Sequence, residues 1–446
     1  MKKIVTSLAV ALAATSAFAG GLLTTTSQNA HYLRFFSQDA DINLTSLYAN
    51  PAGQAFLNKG WHISASAMTA MQSRTIVTTN PLYAGDKTHS FKGDAFAPVV
   101  PSFDFAYVHD KWSVSARFGV VAGGGTCEFE NGLGSFENIV AGLAAQYGLP
   151  SYEFKSYLKG TQNYFGFQVG GTYKILDNLS AYVGVRGVMA SCGYEGYLKT
   201  PLLRALAQDK VPSEIVEQGI ALDCAQSGFG VTPIIGIHYS PIKGLDFAAK
   251  YEFRTRIALK NKTTFSTLAN ALMQDPMLSG SLAPVLGQYA DGQEIRNDIP
   301  AILTVGGQYR PIEGLKIAAS WRYYFDKSAT KYGNREKAIN DNTMEFLASA
   351  EYKFCKWVAA SFSWQNTSYG LSDAYMSDAD FNLSSNSIGA GLRIYPCKLL
   401  TIDLGYMHTF YQDRTVTTTN PTTSLSISNL YSRTNDVVGV GLNFAF

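Results

Sequence analysis

The last ten residues of the chain alternate between apolar and small or polar side chains. In this stretch, VVGVGLNFAF, one face carries Val438, Val440, Leu442, Phe444 and Phe446, and after Val437 the other carries only Gly, Asn and Ala. A period of two residues is typical of a β-strand whose two faces meet different surroundings. The same alternation recurs from about residue 61 to the C-terminus and dominates the chain.

Very short turns join the predicted strands in pairs. They fall at residues 109–111, 176–178, 240–244, 311–314, 355–356 and 396–398. With a first strand from Trp61 and a last strand that ends at Phe446, the pattern predicts about fourteen antiparallel strands. All short turns fall at one end of the strands and all long connections at the other, which is typical of outer-membrane β-barrels.

Charged residues on the predicted strands separate a barrel from a soluble β-sandwich. A Lys or Arg that faces lipid at mid-depth costs about 2–4 kcal/mol, so a membrane barrel should keep charges on its lumen side. The charged strand residues that take the inward parity are Arg117, Arg186, Lys250, Glu252, Arg254, Arg322, Glu345, Glu351, Arg393 and Asp403. A sandwich would also alternate, but its apolar face would be its core. Long strands with one-sided long loops favour an all-β, transmembrane β-barrel.

The N-terminus has the features of a cleaved signal peptide. Lys2 and Lys3 precede an apolar run, and Ala17-Phe18-Ala19 has the small–x–small pattern of a cleavage site. Residues 1–19 are therefore excluded from the fold. Past residue 20 the sequence has no run of about 18 consecutive apolar residues, which is the length that a transmembrane helix needs. We expect export through the inner membrane to the outer membrane of a Gram-negative bacterium.

Composition agrees with a membrane barrel and argues against a nucleic-acid partner. The chain has 36 Lys and Arg against 34 Asp and Glu. Because Lys2 and Lys3 lie in the signal peptide, the mature chain is close to neutral, whereas nucleic-acid binding needs a basic surface. Aromatic content of 13% with only 16% charged residues is unusual for a soluble protein of this size.

Three long external loops are predicted, at about residues 122–161, 192–227 and 260–298. Each contains apolar residues at helical spacing, so each should fold locally. Their apolar faces could pack on one another, or they could line a groove for a hydrophobic molecule, which a porin for sugars or ions would not need. The groove-wall candidates are Leu203, Leu206, Phe265, Leu268 and Leu272.

A short segment precedes the first strand and so begins on the periplasmic side. A lumen of fourteen strands is wide enough to leak unless it is plugged, and an Asn-Pro step breaks regular structure and favours a turn. Residues 20–60 are therefore predicted to be a hatch inside the barrel. The chain divides into a signal peptide (1–19), a hatch (20–60) and a transmembrane barrel (61–446).

Several short motifs carry a resemblance to a known family. Residues 48–53, Tyr-Ala-Asn-Pro-Ala-Gly, resemble the hatch motif of the outer-membrane transporters of long-chain fatty acids and other hydrophobic compounds, the FadL/TodX type. Residues 228–230 and 249–254 resemble that family's middle hairpin, and Ile299-Pro300-Ala301 and the terminal Phe446 also fit. The resemblance covers the whole mature chain, because strand number, hatch position and loop placement agree.

The resemblance implies a monomer that imports hydrophobic compounds, typically long-chain fatty acids or aromatic hydrocarbons. Substrate would enter between the external loops, reach an apolar pocket near the hatch, and leave sideways into the bilayer through a gap made by a kink in the third strand. It implies hatch roles for Asn50, Pro51 and Ala52.

Two further sets of residues fit this route, each with an alternative. Glycines weaken a strand ladder, so the run that holds Gly119, Gly123, Gly124 and Gly125 is a candidate for the kink, or else for a flexible loop entrance. Arg117 and Arg186 are candidates to meet a carboxylate head group, although a salt-bridge network in the lumen would equally explain them.

Enzymatic chemistry is not predicted. No serine lies in a nucleophile motif, no cluster has the spacing of a zinc or calcium site, and no cofactor is implied. Among the five cysteines, Cys192 could pair with Cys224 and Cys355 with Cys397, which leaves Cys127 unpaired; alternatively all five are free thiols.

The sequence is compatible with three functions. The first is a transporter of hydrophobic compounds, the second a structural or adhesion protein of the outer membrane, and the third a general diffusion porin. The expected partners are hydrophobic small molecules, outer-membrane lipid, and the barrel assembly machinery during biogenesis.

Overall fold

The computed structural model describes residues 27–204, 211–274, 286–420 and 424–446. The predicted signal peptide and the groove candidate Leu206 lie outside the described residues.

The described residues form one closed antiparallel sheet. Its strands are β1 (Gly60–Thr79), β2 (Thr88–Val108), β3 (Trp112–Phe129), β4 (Lys155–Leu176), β5 (Leu179–Lys199), β6 (Ile220–Ile242), β7 (Leu245–Glu252), β8 (Ala258–Phe265), β9 (Glu294–Arg296), β10 (Ile302–Tyr309), β11 (Leu315–Tyr324), β12 (Ile339–Lys353), β13 (Val358–Leu371), β14 (Ser385–Ile394), β15 (Leu400–Tyr411), β16 (Arg414–Thr419) and β17 (Ser426–Ala445).

These elements make fourteen barrel strands, as predicted. Three of the barrel strands contain a break. Strands β7 and β8 both pair with β6, and β15 and β16 both pair with β17. Strands β9 and β10 pair with β8 and β7, so β7 with β8, β9 with β10, and β15 with β16 each form one barrel strand. Strand β1 pairs with β2 on one side and with β17 on the other, which closes the barrel.

Short helices occupy the connections and the N-terminal region. The α-helices are α1 (Ala30–Arg34), α2 (Gly134–Gln146), α3 (Ser213–Gln218) and α4 (Thr267–Gln274). Single 3-10 turns cover Leu44–Ser46, Pro51–Phe56, Gly287–Tyr289, Asp326–Ser328, Tyr332–Ala338 and Asp373–Tyr375. Within the described ranges, no helix is both long enough and apolar enough to cross a membrane.

Alternating burial along the strands follows the predicted parity. On the outer surface Phe167 and Val183 are 52% and 69% exposed, whereas Arg186 on the inner face is 3% exposed. The predicted inward charges are buried in the lumen with one exception. Arg254 lies in the break between β7 and β8 and is partly exposed, and its guanidinium donates to the Ser328 carbonyl oxygen at 2.5 Å.

All six predicted turns are present, but the long loops are shorter than predicted. Strand β3 runs to Phe129 and β4 begins at Lys155, and the ladder between β4 and β5 continues as far as Lys155 opposite Lys199. The added residues carry polar side chains such as Glu128 and Lys155 on the outer face, so pairing continues where the outward hydrophobic pattern stops. Helices α2, α3 and α4 lie in the three loops for which helices were predicted.

Neither of the two possible disulfides is present in the structure, and all five thiols are free, which is the alternative that the sequence left open. In the ladder between β5 and β6, Cys192 lies opposite Gln226 and Cys224 lies opposite Tyr194. Diagonal neighbours of this kind are about 7–8 Å apart, at the limit of disulfide geometry. Cys355 and Cys397 are exposed on two separate turns.

The cysteine arrangement predicts a labelling pattern. The folded protein should react with a maleimide at Cys355 and Cys397 only, because the other three thiols are buried, and the unfolded, unreduced protein should react at five positions. Intact mass after labelling measures both numbers. Fewer than five adducts on the unreduced, unfolded chain would mean that a disulfide forms.

Candidate functional site

Residues 27–59 form the N-terminal segment, and all of them except the exposed Asn58 and Lys59 lie inside the barrel. Leu33, Phe36 and Ala52 are buried, as is almost every residue from 27 to 56. Helix α1 packs against β13, β14, β15 and β17, and the turn Pro51–Phe56 packs against β3, β4, β5 and β6 on the other side of the lumen. The segment therefore crosses the lumen and contacts most of its wall.

The Asn-Pro-Ala motif is fixed to the wall through its own backbone. The Asn50 side chain accepts a hydrogen bond from the Gly53 backbone N–H at 3.0 Å, which caps the 3-10 turn that Pro51 begins. The carbonyl oxygen of Pro51 accepts from the Thr172 hydroxyl at 3.0 Å, and that of Ala52 accepts from the Ser180 hydroxyl at 2.7 Å. The Asn50 side chain also contacts the barrel, because its Nδ2 lies 2.9 Å from Nδ1 of His238 on β6.

Tyr48 lies among three cations. Its ring has the charged groups of Arg117, Lys250 and Arg186 at 5.5, 4.9 and 4.6 Å from the ring centroid, and its carbonyl oxygen accepts from Lys250 Nζ at 2.6 Å. Cation–π contacts of this kind are stronger away from water. The aromatic ring thus joins the motif to β3, β5 and β7.

The two arginines proposed to meet a carboxylate head group already have carboxylate partners. Arg117 Nη1 donates to Asp104 Oδ1 at 2.6 Å, and Arg186 Nη1 donates to Glu252 Oε2 at 2.7 Å. Arg186 also donates to Gln168 Oε1 at 2.7 Å. The arrangement is the lumen salt-bridge network that the sequence left open as the alternative.

A second set of ion pairs holds the helical half of the segment. Arg34 Nε donates to Asp403 Oδ1 at 2.6 Å, and the same guanidinium contacts Glu351. Further along, Asp39 pairs with Arg322 at 3.0 Å and Asp41 pairs with Lys316 at 3.1 Å. All of these groups are buried, so each charge depends on its partner.

The wall beside the segment is interrupted between β2 and β3. Pairing stops after Ala95 opposite Cys127 and resumes at Ser102 opposite Gly119, which leaves residues 96–101 and 120–126 without partners in this ladder. The glycine run lies in and at the edge of this interruption. Gly123 has φ +104° and Gly125 has φ +71°, conformations that favour glycine.

A cavity of about 230 Å³ borders the interruption. Its walls come from the N-terminal segment, from both sides of the interruption and from distant strands. The apolar residues among those that line it are Leu33, Met68, Ala97, Val99, Val100, Pro101, Val120, Phe165, Met407 and Val437. Sequence reasoning found only the glycines, because the other residues are brought together by the closure of the barrel.

The proposed groove residues mostly pack on one another. Leu203, Leu268 and Leu272 are buried in one cluster with residues of α2 and α3, whereas Phe265 packs against a separate cluster in the lumen. A groove of about 760 Å³ lies beside the first cluster, and its lining combines Tyr152, Phe154 and Val216 with charged residues that include Lys155, Lys199 and Glu217. The alternative of mutually packed loop helices therefore describes these leucines.

The loop between β13 and β14 folds inward over the other half of the lumen. Residues 375–383 are buried. Asp378 Oδ2 accepts from the Ser135 backbone N–H at the start of α2 at 2.7 Å, and Arg335 pairs with Asp380 at 2.5 Å. Burial raises the pKa of Asp378 above its ordinary value. This contact joins the inward loop to the loop helices.

The barrel, its inserted segment and its interrupted wall define a class of plugged fourteen-stranded β-barrels. No protein-family model matches the sequence, and no curated protein matches it significantly. The structure is similar to that of a Pseudomonas aeruginosa FadL homologue, with a TM-score of 0.68, 14% identity, and coverage of 95% of this chain and 99% of that chain.

Two further solved structures have the same fold. The Ralstonia pickettii toluene transporter TbuX matches with a TM-score of 0.57 and 14% identity over 94% of this chain and 99% of that one. The P. putida toluene transporter TodX matches with a TM-score of 0.54 and 16% identity over 91% of this chain and 95% of that one. At these identities the likeness establishes that the chain has the fold of the FadL/TodX-type barrels.

Replacement of Arg34 tests the anchoring of the segment. Arg34→Met leaves Glu351 and Asp403 with one cationic partner fewer. We expect the free energy of unfolding to fall by about 3 kcal/mol, the low end for breaking a buried pair, since Lys316 and Arg393 remain. Denaturant titration followed by the gel-mobility shift of the folded barrel measures this change.

Lys59→Met is the matched control. Lys59 pairs with Asp110 on the surface, so its loss should leave the unfolding midpoint almost unchanged. Equal midpoints for Arg34→Met and Lys59→Met would contradict an anchoring role for Arg34.

Proposed function

We propose that the protein is an outer-membrane channel of the FadL/TodX type for passive uptake of hydrophobic compounds, and that it is not an enzyme. The observation that carries this proposal is the cavity with a partly apolar lining, which lies between the inserted segment and an interruption of the barrel wall. The structural neighbours are described as a FadL homologue and toluene transporters, which supports the same class of cargo.

The proposed route leads from the external loops to the cavity and then sideways into the bilayer. The exit lies between residues 96–101 and 120–126, where side chains rather than paired backbone form the wall. A lateral exit keeps an acyl chain or aromatic ring out of periplasmic water, which would cost about 0.8 kcal/mol for each exposed methylene. No energy source is needed, because the compound moves down its own gradient.

In this proposal the N-terminal segment is the hatch. Asn50, Pro51 and Ala52 fix it to β4 and β5, and Arg34 fixes it to the opposite wall. Movement of the segment on ligand binding would open the path. Both long-chain fatty acids and aromatic hydrocarbons suit the apolar part of the cavity lining. Native mass spectrometry and lipid extraction of the protein purified in mild detergent would detect a ligand that co-purifies with it. The chemistry of that ligand would identify the class of transported compound.

A larger side chain at Ala97 tests the lateral exit. Ala97 lines the cavity, and a side chain added at Gly125 would contact its Cβ at 3.7 Å, so Ala97→Phe should fill the interruption. We expect uptake of a radiolabelled fatty acid or aromatic hydrocarbon by intact cells to fall about tenfold, which corresponds to a barrier raised by about 1.4 kcal/mol. Ala225→Phe, on the outward face of β6, should leave uptake unchanged. Unchanged uptake by a folded Ala97→Phe protein would exclude this exit.

Ion conductance separates the hatched channel from a diffusion porin. Because the N-terminal segment fills the lumen, the intact protein should be silent in planar bilayers, whereas a barrel that lacks residues 27–59 should conduct. Steady conductance of the intact protein would favour the porin. The intact protein decides this point even if the shortened barrel does not assemble.

A further inference from the structure

The outer wall carries a row of cations on the extracellular side of β8 and β9. We call Arg256, Lys260, Lys262 and Arg296 the outer basic patch. Ile257, Leu259 and Asn261 are buried on the lumen side, and the basic residues that alternate with them are exposed. Their charged groups therefore point away from the barrel.

Acidic residues lie near the patch, since Arg296 pairs with Asp298 and the exposed Asp223 lies two residues from Ala225 on β6, but the other three cations have no ion pair among the described residues. Lys260 and Lys262 lie opposite Ser227 and Ala225 of β6, which carry no charge. Among the described residues, no carboxylate lies within 4 Å of the charged groups of Arg256, Lys260 or Lys262, although Glu294 lies opposite Lys260 across the ladder.

A buried carboxylate fixes the lower edge of the patch. Asp298 accepts from Arg296 at 2.7 and 2.9 Å and also lies 3.6 Å from Arg254 Nε. One carboxylate thus holds two guanidinium groups at the outer surface. On β2, by contrast, the exposed Lys92 is paired with Asp94 at 3.1 Å, so excess positive charge is not a general feature of the extracellular wall.

Aromatic residues set the height of the patch in the membrane. Five outward rings form a row in which the centroids of neighbouring rings are 4.9 to 6.1 Å apart: Phe253, Tyr251, Phe325, Tyr323 and Trp321. Such girdles lie at the boundary between hydrocarbon and head groups.

The basic residues lie just beyond this boundary. Lys260 is seven residues beyond Phe253, which is about 23 Å along a strand and about 16 Å in height at a tilt of about 45°. Arg256 is only three residues beyond Phe253, so the patch spans the level of lipid head groups and the layer above it.

We propose that the outer basic patch binds the phosphate groups of a diphosphorylated glycolipid of the outer leaflet. Guanidinium and ammonium groups form strong charge-assisted hydrogen bonds to phosphate, and a headgroup with two phosphates matches cations at more than one height. The proposal rests on the outer-membrane location given under the proposed function, but not on transport. Such a lipid would lie against the wall formed by β6, β8 and β9.

The test compares two variants with the same change in charge. The patch variant carries Arg256→Glu, Lys260→Glu and Lys262→Glu. The control carries Lys111→Glu, Lys243→Glu and Lys398→Glu on exposed turns at the opposite end of the barrel. Full-length protein in mild detergent is mixed with diphosphoryl lipid A, monophosphoryl lipid A or phosphatidylethanolamine, and bound lipid is counted by native mass spectrometry.

We expect wild type and control to retain diphosphoryl lipid A in preference to the other two lipids. The patch variant should retain about tenfold less of it, because each basic residue contributes to anionic lipid binding. Equal retention by the patch variant and the control would overturn the proposal. A wild-type protein without preference for the diphosphorylated lipid would overturn it even if the patch variant did not fold.

The same spectra separate this proposal from the proposed function. A hydrophobic ligand in the lumen should remain bound in the patch variant, because the substituted residues lie on the outside of the wall. Loss of lipid A binding with retention of the lumen ligand is the expected pattern. Absence of any lumen ligand in wild type, with lipid A binding intact, would weaken the transport proposal alone.

Discussion

A charged side chain on a strand at membrane depth can face either lipid or the lumen, and its cost disfavours lipid. The lumen in turn is filled, so charges that point inward need partners there. The N-terminal segment supplies several of them: Arg34 meets Glu351 and Asp403, and Asp39 meets Arg322. The wall and the segment are therefore complementary, and removal of either would leave buried charges without partners.

The same need for satisfied polar groups explains where the wall can break. An unpaired backbone N–H at membrane depth is costly, but Pro98 and Pro101 in the unpaired part of β2 have no N–H. Gly123 and Gly125 adopt backbone conformations that other residues avoid, so β3 can bend away from β2 at low cost. The prolines and glycines of the sequence and the position of the cavity thus mark the same interruption of the ladder between β2 and β3.

A second interruption, between β7 and β8, is closed. Asp298 accepts from the Ile257 backbone N–H at 3.1 Å, Thr255 pairs with Ile299, and the Phe253 N–H donates to the Pro233 carbonyl oxygen at 3.0 Å. Here a side chain and local bridges replace the ladder. A break in a strand is therefore not in itself an opening; the break between β2 and β3 differs because a cavity borders it.

Strand number, turns and the inward parity of charges could be predicted from sequence, because the alternation of side chains is a local property of a strand. The end of β3 and the start of β4 could not, since the outer face there is polar and the outward hydrophobic pattern stops before the pairing does. The pairing of the cysteines stayed open for a related reason: the offset of two residues between Cys192 and Cys224 depends on register, which sequence does not reveal. Leu203 and Leu268 lay on the predicted apolar faces, but helical spacing cannot tell which neighbour covers such a face.

The two covers of the lumen differ in what it would cost to move them. The inward loop is joined to α2 by the bond between Asp378 and the Ser135 N–H and is held on its other side by Arg335. The N-terminal segment is held by several buried ion pairs, by three cations around Tyr48, and by hydroxyl groups on the carbonyl groups of Pro51 and Ala52. Displacement of the whole segment would expose many charges at once, whereas a shift near Leu33, beside the cavity, would disturb mainly apolar contacts with Met68 and Val437. Small movements at this apolar edge are therefore the least costly way to connect the cavity with the interrupted wall.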